Sequence, residues 1–204
     1  MFARAWPRIA SAAERAGASE HRDEALRGLA GRVIELGAGA GTNFRHYPTS
    51  VDTVLAVEPE PHLREHAVAA AGRAPVRVVV VAGTAGALPA SAGSFDAAVV
   101  SLVLCSDPDQ AEALAELHRV LRPGGELRLY EHVRAESAGT ARLQRVVDVV
   151  WPLFAAGCHT SRDTVGALSP AGFDLVAARH FRFEPCALAA PVAPHVIATA
   201  RRRP

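Results

Sequence analysis

Val33-Ile34-Glu35-Leu36-Gly37-Ala38-Gly39-Ala40-Gly41 runs from an apolar stretch through one acid into three glycines at alternate positions. The apolar stretch reads as a strand. The glycines read as the turn that ends it, where backbone takes unusual dihedrals and comes close to a ligand. A dinucleotide fingerprint needs G-x-G-x-x-G/A, and here the third small position is Thr42. Further strands are expected at about 53–57, 76–81, 95–103 and 126–133, with helices at about 61–71 and 109–121. The valine-rich run from Val76 to Val81 predicts a strand buried on both faces. A short helix is expected to leave the glycine turn and to stop at Tyr47-Pro48, because proline cannot extend it. Asp107 or Asp109 should cap the helix at 109–121, and Arg122-Pro123-Gly124-Gly125 should end it. This alternation predicts a parallel sheet with helices on both faces.

Before the first strand, residues 8–30 read as one or two amphipathic helices, broken near Gly17-Ala18-Ser19. After residue 135 a helix carries Val146, Val147, Val150, Leu153 and Phe154 and ends before Gly157. Two strand-like runs follow, Phe173 to Glu184 and His195 to Ala200.

The chain has 204 residues, half of them apolar, enough for a substantial core. A net charge of +1 gives no reason to expect a nucleic-acid partner, and Arg201-Arg202-Arg203 reads as a solvated basic end. All 22 basic residues are arginine. Without lysine, a Walker A loop and a Schiff-base pyridoxal enzyme are both excluded. Cys105, Cys158 and Cys186 lie far apart with no zinc-type spacing, so no metal is expected. Three cysteines and no secretory leader in Met1 to Pro7 fit a reduced, cytoplasmic setting. No uncharged apolar run reaches about 18 residues, so no membrane span is expected.

The G-x-G-x-G turn, with Glu35 two residues before Gly37, resembles the first motif of class I S-adenosylmethionine-dependent methyltransferases. The resemblance implies an α/β, Rossmann-like three-layer sandwich: a mostly parallel seven-stranded sheet with an antiparallel C-terminal edge strand from the closing hairpin. It implies one methyltransferase domain over 1–204, with a helical lid (1–30), a cofactor-binding core (31–135) and an acceptor-side helix and hairpin (136–204). The cofactor implied is S-adenosyl-L-methionine, leaving S-adenosyl-L-homocysteine. Gly37, Gly39, Gly41 and Asn43 would form the turn, with a helix N-terminus beyond it facing the methionine carboxylate. Glu35 suits the cofactor's ammonium, directly or through water. Glu58, followed by Pro59 at the end of the second strand, sits where an acid accepts two hydrogen bonds from ribose hydroxyls. Many methyltransferases carry an Asp after the third strand for the adenine amino group. Thr84 stands there, so a backbone contact from Thr84 or Ala85 is expected instead. Ser101 and Leu102 end the fourth strand under the transferring methyl, the Ser101 carbonyl holding the cofactor's amino group.

Several further segments resemble the methyltransferase-like 7 family of alkyl thiol S-methyltransferases, over roughly residues 30–200. They are Leu102-Val103-Leu104-Cys105-Ser106, Val120 to Gly125, Glu131-His132-Val133, Trp151, Gly157 to Arg162 and Pro194-His195-Val196. The ubiquinone/menaquinone C-methyltransferases are similar more loosely. Animal members of the thiol family carry an N-terminal membrane anchor. This sequence begins where such an anchor would end, so a soluble relative is expected. The partner implied is a small, fairly apolar methyl acceptor, a thiol first, with O-, N- or C-methylation of a secondary metabolite or quinone next. A non-catalytic cofactor-binding protein and an NAD-dependent oxidoreductase remain as rival readings.

A thiol, with an ordinary pKa near about 8.5, supplies some thiolate unaided, whereas a phenol or carbon acid needs a positioned base. His132, ending the fifth strand, is the candidate base, or else a histidine bonding backbone there. Asp107 is a second candidate, or an ordinary turn residue before Pro108. Trp6 and Phe2 would close over the cofactor; Cys105, Trp151 and His159 would wall the acceptor. Each also reads as plain packing or loop structure.

Overall fold

The computed structural model describes residues 2–204. β1 (Gly31–Leu36), β2 (Val51–Val57), β3 (Arg77–Val81), β4 (Phe95–Ser101) and β5 (Leu121–His132) pair in parallel. β6 (Phe173–Arg182) and β7 (Pro194–Arg202) complete a seven-stranded sheet of order β3-β2-β1-β4-β5-β7-β6. β7 runs antiparallel to both its neighbours, so the expected closing hairpin is present, with β7 inserted beside β5 and β6 at the edge.

The helices are α1 (Phe2–Ala13), α2 (Ser19–Leu26), α3 (Pro61–Ala71), α4 (Gln110–Val120), α5 (Ala138–Val147) and α6 (Trp151–Phe154). Successive strand residues point to opposite faces, and Val33 and Ile34 are both fully buried, so both faces of β1 are covered. On one side Val33, Val54 and Ala56 pack with Leu26, Leu29, Phe44, Tyr47 and Ala67. On the other, Ile34, Val57 and Val100 pack with Leu114, Leu117 and Val120. Local chemistry fixes the helix starts. Pro61 opens α3 behind Glu60, whose carboxylate accepts the Leu63 N–H. Asp109, rather than Asp107, caps α4 by accepting the Glu112 N–H. The expected break between α1 and α2 falls at Gly17, at φ 115°.

Four expectations are corrected. The glycine turn leads to a single 3₁₀ turn, Phe44–His46, and not to a helix. Gly37, Gly39 and Gly41 all have positive φ, outside the right-handed helical range, and too little chain remains before Pro48. β3 is not buried on both faces: it is the sheet edge, and Val79 is 39% exposed. Arg122-Pro123-Gly124-Gly125 lies within the span of β5, as an irregularity where the β4 register jumps from Leu121 to Glu126. The C-terminal helix is split into α5 and α6, and Val146, Val149, Leu153 and Phe154 face outward, Phe154 at 80% exposure. No helix among the described residues is long and apolar enough to cross a membrane.

Candidate active site

β1 delivers its chain to the glycine turn at the carboxyl end of the sheet, where ligands of open α/β folds bind. The Gly37 and Ala38 N–H groups both donate to the Val57 carbonyl, so the turn folds over the end of β2. A Cβ on Gly37 would lie 2.4 Å from Val103 Cγ2, and one on Gly39 would lie 3.2 Å from Trp6 Nε1. The turn is thus held between the loop after β4 and helix α1. Trp6 sits over it as a lid would; the Phe2 side chain lies outside the described residues.

Below the turn, Glu35 is 2% exposed. Its oxygens accept from Asn43 Nδ2 at 2.9 Å and Tyr47 OH at 2.7 Å, and burial pushes its carboxyl up to about 7 against those bonds. Asn43 also donates to Ser101 Oγ at 3.1 Å and accepts from Arg22 Nη1 at 2.6 Å. Arg22 Nε in turn donates to Glu14 at 2.8 Å. Burial pushes Glu14 up, but hydrogen bonds from His46, Arg22 and Arg45 overcome it and hold the carboxyl at about 2. Glu35 therefore braces the turn from behind, and its link toward a ligand runs through Asn43 and Ser101. Arg22 and Tyr47 were not legible as site residues, since nothing local marks an arginine of α2 as the partner of a turn residue.

Glu58 ends β2 with its carboxylate laid along the turn. Oε2 accepts the Gly39 N–H at 2.8 Å and Oε1 the Glu60 N–H at 2.9 Å. Burial raises its pKa, against those two bonds. Pro59 follows, exposed. Thr84 is exposed, and its carbonyl accepts the Ala87 N–H, closing a tight loop around Ala85. Leu102, just past Ser101, has φ 59°, an unusual dihedral for a side chain of that size, and is fixed there by its N–H bond to the Tyr130 carbonyl at 2.8 Å.

The loop after β4 is pinned by a carboxylate. Fully buried Glu131 accepts the N–H groups of Val103, Leu104 and Cys105 at 2.8, 3.0 and 3.1 Å. Burial raises its pKa, opposed by those three bonds. From the other side, Cys105 O accepts the His159 N–H at 2.8 Å and Leu104 O accepts from Arg162 Nη1 at 2.7 Å. The fold also brings together two cysteines and a histidine that have no zinc-type spacing in the sequence. Cys105 Sγ lies 3.6 Å from Cys158 Sγ, and His132 Nδ1 lies 3.5 Å from the first and 3.4 Å from the second. Cys158 was missed because its partners are far along the chain. Its thiol is drawn down to about 5, foremost by the Cys105 hydrogen bond and also by His132, while the same pairing pushes Cys105 up.

Val192, Trp151, Ala155 and Ala189 pack against this cluster. Trp151 Nε1 is buried with no hydrogen-bond partner among the described residues. The candidate bases fare differently. His132 Nδ1 faces the two sulfurs, and its ring meets His195 edge-on with centroids 4.6 Å apart. Asp107 accepts the Asp109 N–H at 2.9 Å, the ordinary turn role. His159 reaches the cluster through its backbone, its ring lying 3.6 Å from Asp148.

Residues 34–129 match the family model described as a methyltransferase domain. Human thiol S-methyltransferase TMT1A is 34% identical over 154 residues, 74% of this chain and 63% of that protein. Human thiol S-methyltransferase TMT1B is 34% identical over 181 residues, 86% of this chain and 73% of that protein. A solved S-adenosylmethionine-dependent methyltransferase from Thermotoga maritima superposes with a TM-score of 0.74 at 24% identity, covering 99% of this chain and 98% of its own. Sheet order, glycine turn and matched domain together define an S-adenosylmethionine-dependent methyltransferase. Within that class the chain belongs to the family of TMT1A and TMT1B.

Proposed function

We propose that the chain transfers the methyl group of S-adenosyl-L-methionine to the sulfur of a small apolar thiol. The observation that carries the donor half is Glu58, whose carboxylate ends β2 while gripping the Gly39 N–H. Side-chain carboxylate and glycine backbone are thereby fixed to each other, with two acceptor oxygens where ribose hydroxyls belong. The residues fit the cofactor in a second respect: Gly37 and Gly39 keep the turn low between the loop after β4 and α1, where a Cβ would meet Val103 or Trp6. The Ser101 hydroxyl, held by Asn43, and the Leu102 carbonyl offer a donor and acceptors to an amino-acid tail. Pro59, Thr84 and Ala85 border the adenine side.

When bound, S-adenosylmethionine supplies a sulfonium-activated methyl group. The chain's own work is to hold the acceptor in line with that methyl and to keep water out. Trp6 would close the donor side. Trp151, Val192 and Cys105 would line an apolar acceptor wall, which suits an alkyl thiol and matches the acceptor printed in the names of TMT1A and TMT1B. His132 and Asp107 would have little to do as bases for such an acceptor, because a thiol loses its proton readily.

Calorimetric titration with S-adenosylmethionine, S-adenosylhomocysteine and NAD, followed by turnover with alkyl thiols and phenols, tests the reading. Binding of the first two ligands alone and faster methylation of thiols support it. NAD binding alone, or turnover of phenols only, overturns it. Glu58→Ala should weaken S-adenosylhomocysteine by about tenfold or more, as the loss of a charged hydrogen-bond acceptor requires.

A further inference from the structure

We infer that Cys105, Cys158 and His132 form a three-ligand zinc site with an open fourth corner at the acceptor end of the sheet. The three donor atoms already stand at the spacing of three corners of a metal tetrahedron. Zinc–sulfur bonds of about 2.3 Å and zinc–nitrogen bonds of about 2.0–2.1 Å place sulfurs about 3.8 Å apart and sulfur and nitrogen about 3.5 Å apart. The separations here are 3.6 Å between sulfurs and 3.5 and 3.4 Å from sulfur to His132 Nδ1. All three lie within 4.8 Å of one another, and both sulfurs are buried.

The framework holding them is rigid on each side. Glu131 fixes the Val103–Cys105 backbone through three N–H bonds; the His159 N–H and Arg162 tie the Cys158 loop to Cys105 and Leu104. Two thiolates and one imidazole favour zinc over hard cations such as magnesium or calcium. They also balance its charge, which a buried site requires. Three protein ligands and a free corner are the pattern of a working zinc site, whereas a structural one is closed by a fourth residue.

Use of the free corner rests on the thiol acceptor proposed above. There an acceptor thiol would form a zinc–sulfur bond as its S–H bond breaks, the proton passing to solvent. The Val192 and Trp151 wall would receive its carbon chain. The zinc site itself does not depend on that reading.

The test is titration of the full chain, stripped with a chelator under a non-thiol reductant, with zinc against a chromophoric competitor and with cobalt as a spectroscopic probe. One zinc per chain is expected, with sulfur-to-cobalt charge transfer and the strong visible bands of a tetrahedral ion. Cys158→Ser, Cys105→Ser and His132→Ala should each weaken zinc by at least about 100-fold, since even outer partners of a zinc ligand cost up to that much. Cys186→Ser, at the exposed cysteine, should change nothing. Substoichiometric zinc, octahedral cobalt spectra, or affinity that survives Cys158→Ser in a variant that keeps its wild-type circular dichroism overturns the site. The same samples titrated with S-adenosylhomocysteine separate the two proposals. Nucleoside binding without zinc removes this inference alone; zinc without nucleoside removes the methyltransferase reading and leaves the site standing.

Discussion

Replacing Glu35 by glutamine should remove a pH dependence of folding that the wild-type chain carries. The Glu35 carboxyl is wholly buried and pushed up to about 7, burial outweighing the bonds from Tyr47 and Asn43. In the unfolded chain it ionises near its ordinary value of 4.5. Well below that value both states hold the proton, and Glu35 adds no pH dependence. Between the two values the unfolded state has lost the proton and the folded state keeps it, so stability falls as pH rises. Above about 7 both are ionised and the loss is complete. At about 1.4 kcal/mol for each pH unit, that interval amounts to about 3 kcal/mol. Glutamine cannot ionise, and its carbonyl still accepts one of the two bonds. Urea unfolding of both proteins, in half-unit steps from about pH 5 to about pH 8, should show the variant gaining about 2.5 kcal/mol on the wild type across the range. Saturating S-adenosylhomocysteine should shrink that gain, because a ligand ammonium near the Asn43 bridge favours the ionised carboxylate. A difference that stays constant with pH would refute the claim that the fold keeps Glu35 protonated.

Other substitutions probe other joints of the site. Gly37→Ala forces a side chain into φ 67° and against Val103 Cγ2; denaturant unfolding should show a loss of about 2–4 kcal/mol, and a loss below about 0.5 kcal/mol would contradict the close approach. Glu131→Gln replaces one acceptor oxygen by a donor facing the Cys105 N–H. Stability should fall by about 1–3 kcal/mol at neutral pH, and an unchanged midpoint would mean that the three N–H bonds are not needed. Arg22→Leu strands the Asn43 carbonyl and leaves Glu14 with Arg45 and His46 alone. It should cost about 1–3 kcal/mol and speed hydrogen exchange in α1 and α2, whereas wild-type exchange there would show that these helices are held by other contacts.

What could be read in advance was whatever the chain spells locally. The positive-φ glycines at 37, 39 and 41, the cap at Asp109 and the break at Gly17 each act within a few residues of themselves, and each is found where expected. Burial of β3 was misjudged because valine content says that a strand is apolar but not that it will sit at an edge. The helix after the turn was misjudged because the dihedrals of three glycines outlast the turn. The rest depends on topology. Arg22 meets Asn43 across 21 positions, Glu131 holds Cys105 across 26, and Cys105 faces Cys158 across 53. No local pattern encodes such pairs; they exist only once distant elements are assembled around the sheet. The TMT1-like segments named Cys105, His132 and Cys158 separately, without saying that they converge.

The chain has two tryptophans, and the fold sends one to each half of the site: Trp6 against Gly39 and Trp151 beside Cys105 and Cys158. Each indole is therefore a native fluorophore for a separate event. Trp6→Phe leaves emission that reads only the cysteine end, where nearby sulfur quenches and a change of ligation alters the yield. Trp151→Phe leaves emission that reads only the glycine turn, where the proposed adenosyl ligand would displace or desolvate the ring. Stopped-flow mixing of the two single-tryptophan proteins would time donor and acceptor arrival separately, without a label or a coupled assay.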